Sequence, residues 1–214
     1  MTNATVLIDY GSGNIRSVAK ALEHTALALG LEKPIVTSNP DVVARASRIV
    51  LPGQGAFGDC LAGLLAVDGL KDALSEAVQA RGVPFLGICV GMQLLADEGH
   101  EHGVHLGLGW IPGQVVPFPK DLPSDVKIPH MGWSVLAAAT PHPVTDGLDQ
   151  RSVYFAHSYH FRASQPADVL LTANHGVSLV SAVARHNILG VQFHPEKSQT
   201  VGLGLMKAFQ QWQP

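Results

Sequence analysis

The chain has 214 residues, 46% of them apolar and 14% charged, with a net charge of −3. A chain of this length can bury a full core and reads as one domain over residues 1–214. The slightly acidic balance speaks against a nucleic-acid-binding surface, Cys60 and Cys89 are too few for a disulfide framework, and no apolar run approaches a membrane span. Met1-Thr2-Asn3-Ala4 shows no basic stretch leading into an apolar one, so a soluble protein of a reducing cytoplasm is expected.

In chain order, Thr5-Val6-Leu7-Ile8-Asp9 reads as a central strand and Tyr10-Gly11-Ser12-Gly13 as a turn. Asn14 is placed to cap a helix whose apolar positions Ile15, Val18, Ala19, Leu22 and Ala26 recur at helical spacing, with Gly30 as its stop. The glycine turn lacks the third glycine and the downstream acid of a dinucleotide-binding fingerprint. Pro34-Ile35-Val36-Thr37 reads as a second strand, and Asn39-Pro40-Asp41 as a helix start with cap, first-turn proline and acid. Arg48-Ile49-Val50-Leu51 is a third strand. It runs into Pro52-Gly53-Gln54-Gly55-Ala56-Phe57, a loop whose peptides can turn N–H groups toward an anion or simply join strand to helix. Helical patterns follow over residues 59–65, with Cys60 as a small packed side chain, and over residues 68–79. Alternating strand and helix predicts an α/β fold, an open and largely parallel sheet with helices on both faces, whose ligands bind beyond the carboxyl ends of the strands.

Val83-Pro84-Phe85-Leu86 leads into Gly87-Ile88-Cys89-Val90-Gly91-Met92-Gln93, and a helix-like stretch, Leu94-Leu95-Ala96-Asp97, follows. Strand, sharp turn and helix with a thiol at the apex is the pattern of a nucleophile elbow. Flanking glycines relieve the crowding of the turn. Taken alone, Cys89 fits a reactive thiol and a packed one equally. The run from Gly99 to His105 holds His100, His102 and His105, but glycines break it and no further ligand stands at metal spacing, so it reads as a solvated loop without metal.

The second half changes pattern. Residues 114–116, 126–128, 133–136, 152–155 and 169–172 are strand-like between proline- and glycine-rich turns, and residues 178–184 and 188–193 flank Arg185-His186-Asn187 as a hairpin. Antiparallel strands thus extend the parallel sheet into a mixed one, and residues 198–212 close the chain as a helix. His194-Pro195-Glu196 follows the last strand. A thiol nucleophile needs a base, and the base needs a group that fixes its tautomer. Two residues apart at a strand end, His194 and Glu196 can project to one side. The competing reading is a packed histidine followed by a helix-start acid.

These stretches resemble the class I (triad) glutamine amidotransferases. Within them they resemble the branch formed by the glutaminase subunits of imidazole glycerol phosphate synthase, in histidine biosynthesis. The resemblance rests on Ile8-Asp9-Tyr10-Gly11-Ser12-Gly13-Asn14, Leu51-Pro52-Gly53-Gln54-Gly55-Ala56-Phe57, the elbow at Cys89, Ile128-Pro129-His130-Met131-Gly132-Trp133, His157-Ser158-Tyr159 and the segment from Val191 to Ser198, in family order. It implies a triad of Cys89, His194 and Glu196. Oxyanion donors would come from Val90 and the Gly53, Gln54, Gly55 loop, and L-glutamine would be held by Gln93, Ser158 and Tyr159. It also implies a heterodimer with a barrel-shaped cyclase subunit, reached near Trp133, Tyr154 and Lys197, and no cofactor. The family often has valine at the position of Gln54 and leucine at that of Val90. A free-standing γ-glutamyl hydrolase, or a non-catalytic regulatory subunit on the same fold, are the alternatives.

Overall fold

The structure is a computed structural model that describes residues 4–214; Met1, Thr2 and Asn3, read above for a leader, lie outside the described residues. The first half alternates as its patterning predicts. Strand β1 (Thr5–Ile8) leads to helix α1 (Ile15–Leu29), then β2 (Ile35–Thr37), α2 (Pro40–Val43), β3 (Arg48–Gly53), α3 (Phe57–Ala66) and α4 (Leu70–Ser75). A π-helical turn over Glu76–Ala80 precedes β4 (Phe85–Cys89) and the one-turn helix α5 (Val90–Gln93). Asn39 caps α2 by accepting from the Asp41 N–H. Asn14 makes no such bond, contrary to expectation. Its backbone (φ −83°, ψ 63°) is not in the extended region from which a cap oxygen reaches the next turn.

The second half carries β5 (Glu98–Gly99), β6 (His105–Leu106), β7 (Gly113–Pro117), β8 (His130–Ala138), β9 (Ser152–His157), β10 (Tyr159–Ala163), β11 (Val169–Asn174), β12 (Ser178–Arg185) and β13 (Ile188–Val191), then helix α6 (Gln199–Gln211). Among the described residues, nine strands form one sheet in the order β2-β1-β3-β4-β13-β12-β11-β8-β9. The pairs from β2 to β13 are parallel, and those from β13 to β9 are antiparallel. The expectation of a single sheet needs correction, because β10, β7, β5 and β6 form a second, four-stranded one.

Two further expectations fail for local reasons. Residues 126–128 are not a strand. Val126 closes a turn onto the Pro123 carbonyl, and the Lys127 carbonyl bonds to His175 instead of a ladder partner. The helix after Cys89 stops at Gln93, because the carbonyls of Leu94, Leu95 and Ala96 accept from Leu108, Trp110 and Gly109. Tertiary partners there replace the next helical turn. The core lies on the central strands, where Val6, Leu7, Ile8, Ile49, Val50, Leu51, Phe85 and Leu86 are all buried. Helix α1 packs on α6, and α3 packs on α4 and α5. Among the described residues no helix is long and apolar enough to cross a membrane.

Candidate active site

Strands β3, β4 and β13 are neighbours and run parallel, so their carboxyl ends open on the same edge. Gly53 at the end of β3 stands opposite Cys89 at the end of β4, and Val191 at the end of β13 stands opposite Ile88. The three segments singled out in the sequence therefore meet for a topological reason.

Cys89 has φ 55° and ψ −112°, a conformation that costs a non-glycine residue about 1–3 kcal/mol. Close backbone approach imposes it. A Cβ on Gly91 would collide with the Leu51 carbonyl, and one on Gly87 with the Gly91 carbonyl. One on Gly53 would sit 2.6 Å from the Gly91 nitrogen. Three glycines thus let β3, β4 and α5 pack backbone to backbone and force the chain to turn sharply at the thiol. Val90 is the first residue of α5, so its N–H has no acceptor within the helix.

His194 leaves β13 through Gln192 and Phe193, with its N–H bonded to the Tyr154 carbonyl at 2.9 Å. A 3₁₀ turn over Pro195–Lys197 brings Glu196 back beneath it. The His194 Nδ1 to Glu196 Oε1 distance is 2.9 Å, with the two side chains only 5% and 1% exposed. Ser198, fully buried, braces the turn by donating to the His194 carbonyl (2.7 Å) and accepting from the Tyr154 N–H (3.0 Å). Burial by itself would lower the His194 pKa. The hydrogen bonds to Cys89 and Glu196, with their charges, outweigh burial and hold it up at about 9.

This raised value has a stability consequence. The folded state binds the His194 proton more tightly than an unfolded chain, whose histidine titrates near 6.5. The stabilisation is therefore complete below pH 6.5 and is lost as pH rises to about 9. Melting temperatures measured across that window should fall in the wild type, and His194→Asn should flatten that part of the curve.

The loop after β3 is held from behind. Tyr10 donates to the Pro52 carbonyl (2.7 Å). The Ser12 hydroxyl donates to the Gln54 carbonyl (2.7 Å), and the Gln54 N–H is itself given to Ser12 Oγ (3.4 Å). Cys60, expected only to pack, lies 3.0 Å from Ser12 Oγ and 3.5 Å from the Gln54 carbonyl. Burial pushes the Cys60 thiol and the Tyr10 phenol up, so both are protonated and can donate.

A cavity of about 220 Å³ brings together Cys89, Val90, His194, Gln54, Gly55 and Gln93, with Ser158, Tyr159 and Lys197 also on its wall. Gly53 lies beneath, against Val90. Trp133 and Tyr154 do not line the cavity; they form a cross-strand pair beside it, edge to face at 6.0 Å. The Lys197 ammonium lies 5.7 Å from the Tyr154 ring centre. Gln93 Nε2 is shared between the Tyr159 carbonyl and Gln192 Oε1, each at 3.0 Å.

Sequence reasoning overlooked several residues here. Gln192 is fully buried, and its Nε2 points to Cys89 Sγ at 3.7 Å. An uncharged polar residue inside an apolar strand run was its only trace. Glu101 lines the cavity and accepts from the Phe57 N–H at 2.7 Å, capping α3. Its loop is therefore partly structural rather than merely solvated. The nearby His100 and His105 bond to Glu98 and to the Glu101 carbonyl. Among the described residues no group of three histidine, cysteine or acidic side chains is arranged to hold a metal ion.

The pattern of the family Glutamine amidotransferase class-I matches residues 6–209. A relative from Agrobacterium fabrum, named imidazole glycerol phosphate synthase subunit HisH, is 50% identical over 213 residues, covering 97% of this chain and 98% of the relative. A protein of the same name from Zymomonas mobilis is 50% identical over 214 residues, covering 100% and 98%. Among solved structures, one of a glutamine amidotransferase aligns with a TM-score of 0.70 at 19% identity over 95% of this chain and 96% of the other. The glutaminase domain of Trypanosoma brucei CTPS, solved with acivicin, aligns with a TM-score of 0.67 at 16% identity over 99% and 95%. The structural neighbours speak for the fold, and the family pattern reaches from β1 into α6, so the chain belongs to the class-I glutamine amidotransferases.

Proposed function

We propose that the chain is the glutaminase subunit of an imidazole glycerol phosphate synthase, working as a single domain over residues 1–214 with Cys89, His194 and Glu196 as its triad. The observation that carries this reading is the Glu196–His194 pair meeting the elbow thiol on one cavity wall. The narrower identity leans on the full-length kinship to proteins named HisH. The Cys89 thiolate adds to the side-chain amide carbon of L-glutamine, and the oxyanion is met by the Val90 N–H and a second donor from the Gly53–Gln54–Gly55 loop. His194, held in tautomer by Glu196, protonates the departing ammonia. It then takes a proton from water, which cleaves the thioester, frees glutamate and restores the thiolate. Gln93, Ser158 and Tyr159 hold the amino-acid end of glutamine. Ammonia passes to a barrel-shaped cyclase subunit, which makes imidazole glycerol phosphate and aminoimidazole carboxamide ribonucleotide. A reactive thiol suits a reducing cytoplasm.

The Gln54 N–H is bound to Ser12, which supports a loop that must reorient before it can serve the oxyanion. A missing oxyanion donor costs about 10²–10³ in rate. Glutamate release by the free subunit should therefore rise by roughly that factor when a cyclase subunit is added. Equal rates with and without the partner would overturn the loop switch, and hydrolysis of γ-glutamyl peptides without any partner would favour the free-standing hydrolase.

The partner surface is read at Trp133, Tyr154 and Lys197. Met131, Trp133 and Val135 project from one face of β8 and are 64%, 49% and 50% exposed. Trp133→Ala or Tyr154→Ala should weaken the complex by about tenfold or more, as truncation of a buried aromatic anchor does. Titration of labelled cyclase subunit measures it, and unchanged affinity in both variants would place the interface elsewhere.

A further inference from the structure

The face of β8 opposite the exposed stripe carries His130 and Ser134. His130 stands opposite His157 of β9 in the strand register. Three hydrogen bonds run in series. Ser134 Oγ lies 2.8 Å from His130 Nε2, His130 Nδ1 lies 3.0 Å from His157 Nε2, and His157 Nδ1 lies 2.8 Å from the Tyr159 carbonyl oxygen. Elementary donor and acceptor rules orient all three. A carbonyl can only accept, so His157 carries a proton on Nδ1, and as a neutral ring it presents Nε2 as an acceptor. His130 must then donate from Nδ1, which leaves its Nε2 to accept from the Ser134 hydroxyl. Both rings are neutral in this arrangement.

Their surroundings keep them so. His175 stacks on His130 with ring centres 4.0 Å apart, Phe118 packs against His157 and His160, and Arg162 stands near His160. Burial, then the neighbouring His175, lowers His130 to about 4. Burial first, then the other histidines against the Tyr159 hydrogen bond, lowers His157 to about 3.

The Tyr159 carbonyl is the far end of the series, and it also accepts from Gln93 Nε2 at 3.0 Å. Both of its acceptor directions are therefore filled, which locks the backbone of Ser158 and Tyr159 on the cavity wall. We infer that His157, His130 and Ser134 are positioning residues: a one-directional hydrogen-bond series of neutral histidines holds the Ser158–Tyr159 backbone in the shape that grips the amino-acid end of glutamine. This rests on the proposed placement of glutamine at Ser158 and Tyr159. The series touches no reacting atom, so it acts on binding in ground and transition state alike, and its loss should raise KM rather than lower kcat.

Two measurements test it. Nitrogen-15 NMR of the full chain at neutral pH should show both His130 and His157 as neutral Nδ1–H tautomers. A protonated ring, or an Nε2–H tautomer at either residue, overturns the series whatever the variants do. In the complex with a cyclase subunit, His130→Ala should raise KM for glutamine roughly tenfold, with kcat within about twofold. His130→Asn, whose amide nitrogen overlays Nδ1, should restore KM to within about threefold. An unchanged KM in His130→Ala, a fall in kcat alone, or failure of Asn to rescue would make the histidines mere packing. If the wild-type complex releases no glutamate, the functional reading falls instead, while the tautomers, read without turnover, still decide the series.

Discussion

Cys89→Ala is expected to abolish glutamate release, with kcat in the presence of the cyclase subunit falling by about 10⁵–10⁶, the loss typical when the nucleophile of a triad is removed. Among the described residues lining the cavity Cys89 carries the only thiol, and neither His194 nor Gln192 beside it can form a thioester. The substitution deletes only the sulfur. Alanine must adopt the same φ of 55°, so backbone strain is unchanged and the fold is kept, while the thiol's share in holding up the His194 pKa, and the stability that goes with it, is lost. Loss of turnover with retained fold and retained partner binding would separate chemistry from structure. Glutamate release by the variant at even a hundredth of the wild-type rate would point to a different nucleophile and end the triad reading.

Gly91→Ala should be the most damaging small substitution away from the reacting groups. Its Cβ would collide with the Leu51 carbonyl and come within 3.4 Å of the Pro52 carbonyl carbon. Both are backbone atoms of β3 in the middle of the sheet, so no side chain can swing aside. Overpacking of this kind costs about 3 kcal/mol, a fall of roughly 6–12 °C in melting temperature for a chain of this size. Separating α5 from β3 would also displace the Val90 N–H from the site. Gly204→Ala is the matched control. Nothing lies within 4 Å of the point its methyl group would occupy, it lies inside α6, and helix propensity favours alanine there by about 1 kcal/mol. Thermal melting of both variants measures the contrast. A Gly91→Ala protein as stable and active as the control would mean that the elbow tolerates a wider turn.

Much of the fold was legible because its signals are local. Apolar runs bounded by glycine and proline marked β1, β3, β4 and the β12–β13 hairpin. Where local preference and tertiary demand disagreed, reading failed. Residues 126–128 have β-forming side chains, yet their backbone groups serve a turn and His175. Leu94 to Asp97 look helical, yet their carbonyls belong to residues 107–111. Of the second sheet, residues 114–116 were legible as β7, but β5 and β6 are two residues each, too short for any periodicity, so the sheet itself was not.

Residue types and their spacing alone specify the chemistry on offer: an elbow thiol between glycines, a histidine and acid two residues apart at a strand end, and a glycine loop after β3. Each is a short-range pattern that limits what the backbone and side chains can do. How these parts are wired belongs to the tertiary fold. The parallel neighbours β3, β4 and β13 bring them to one edge. Ser12 and Cys60 engage the Gln54 peptide, across more than forty positions of chain in the case of Ser12. Gln192 is aimed at Cys89, and the histidines of β8 and β9 are set in series beneath Tyr159. Hydrogen-bond direction depends on distance and angle between residues remote in the chain, and no local pattern of residue types encodes it.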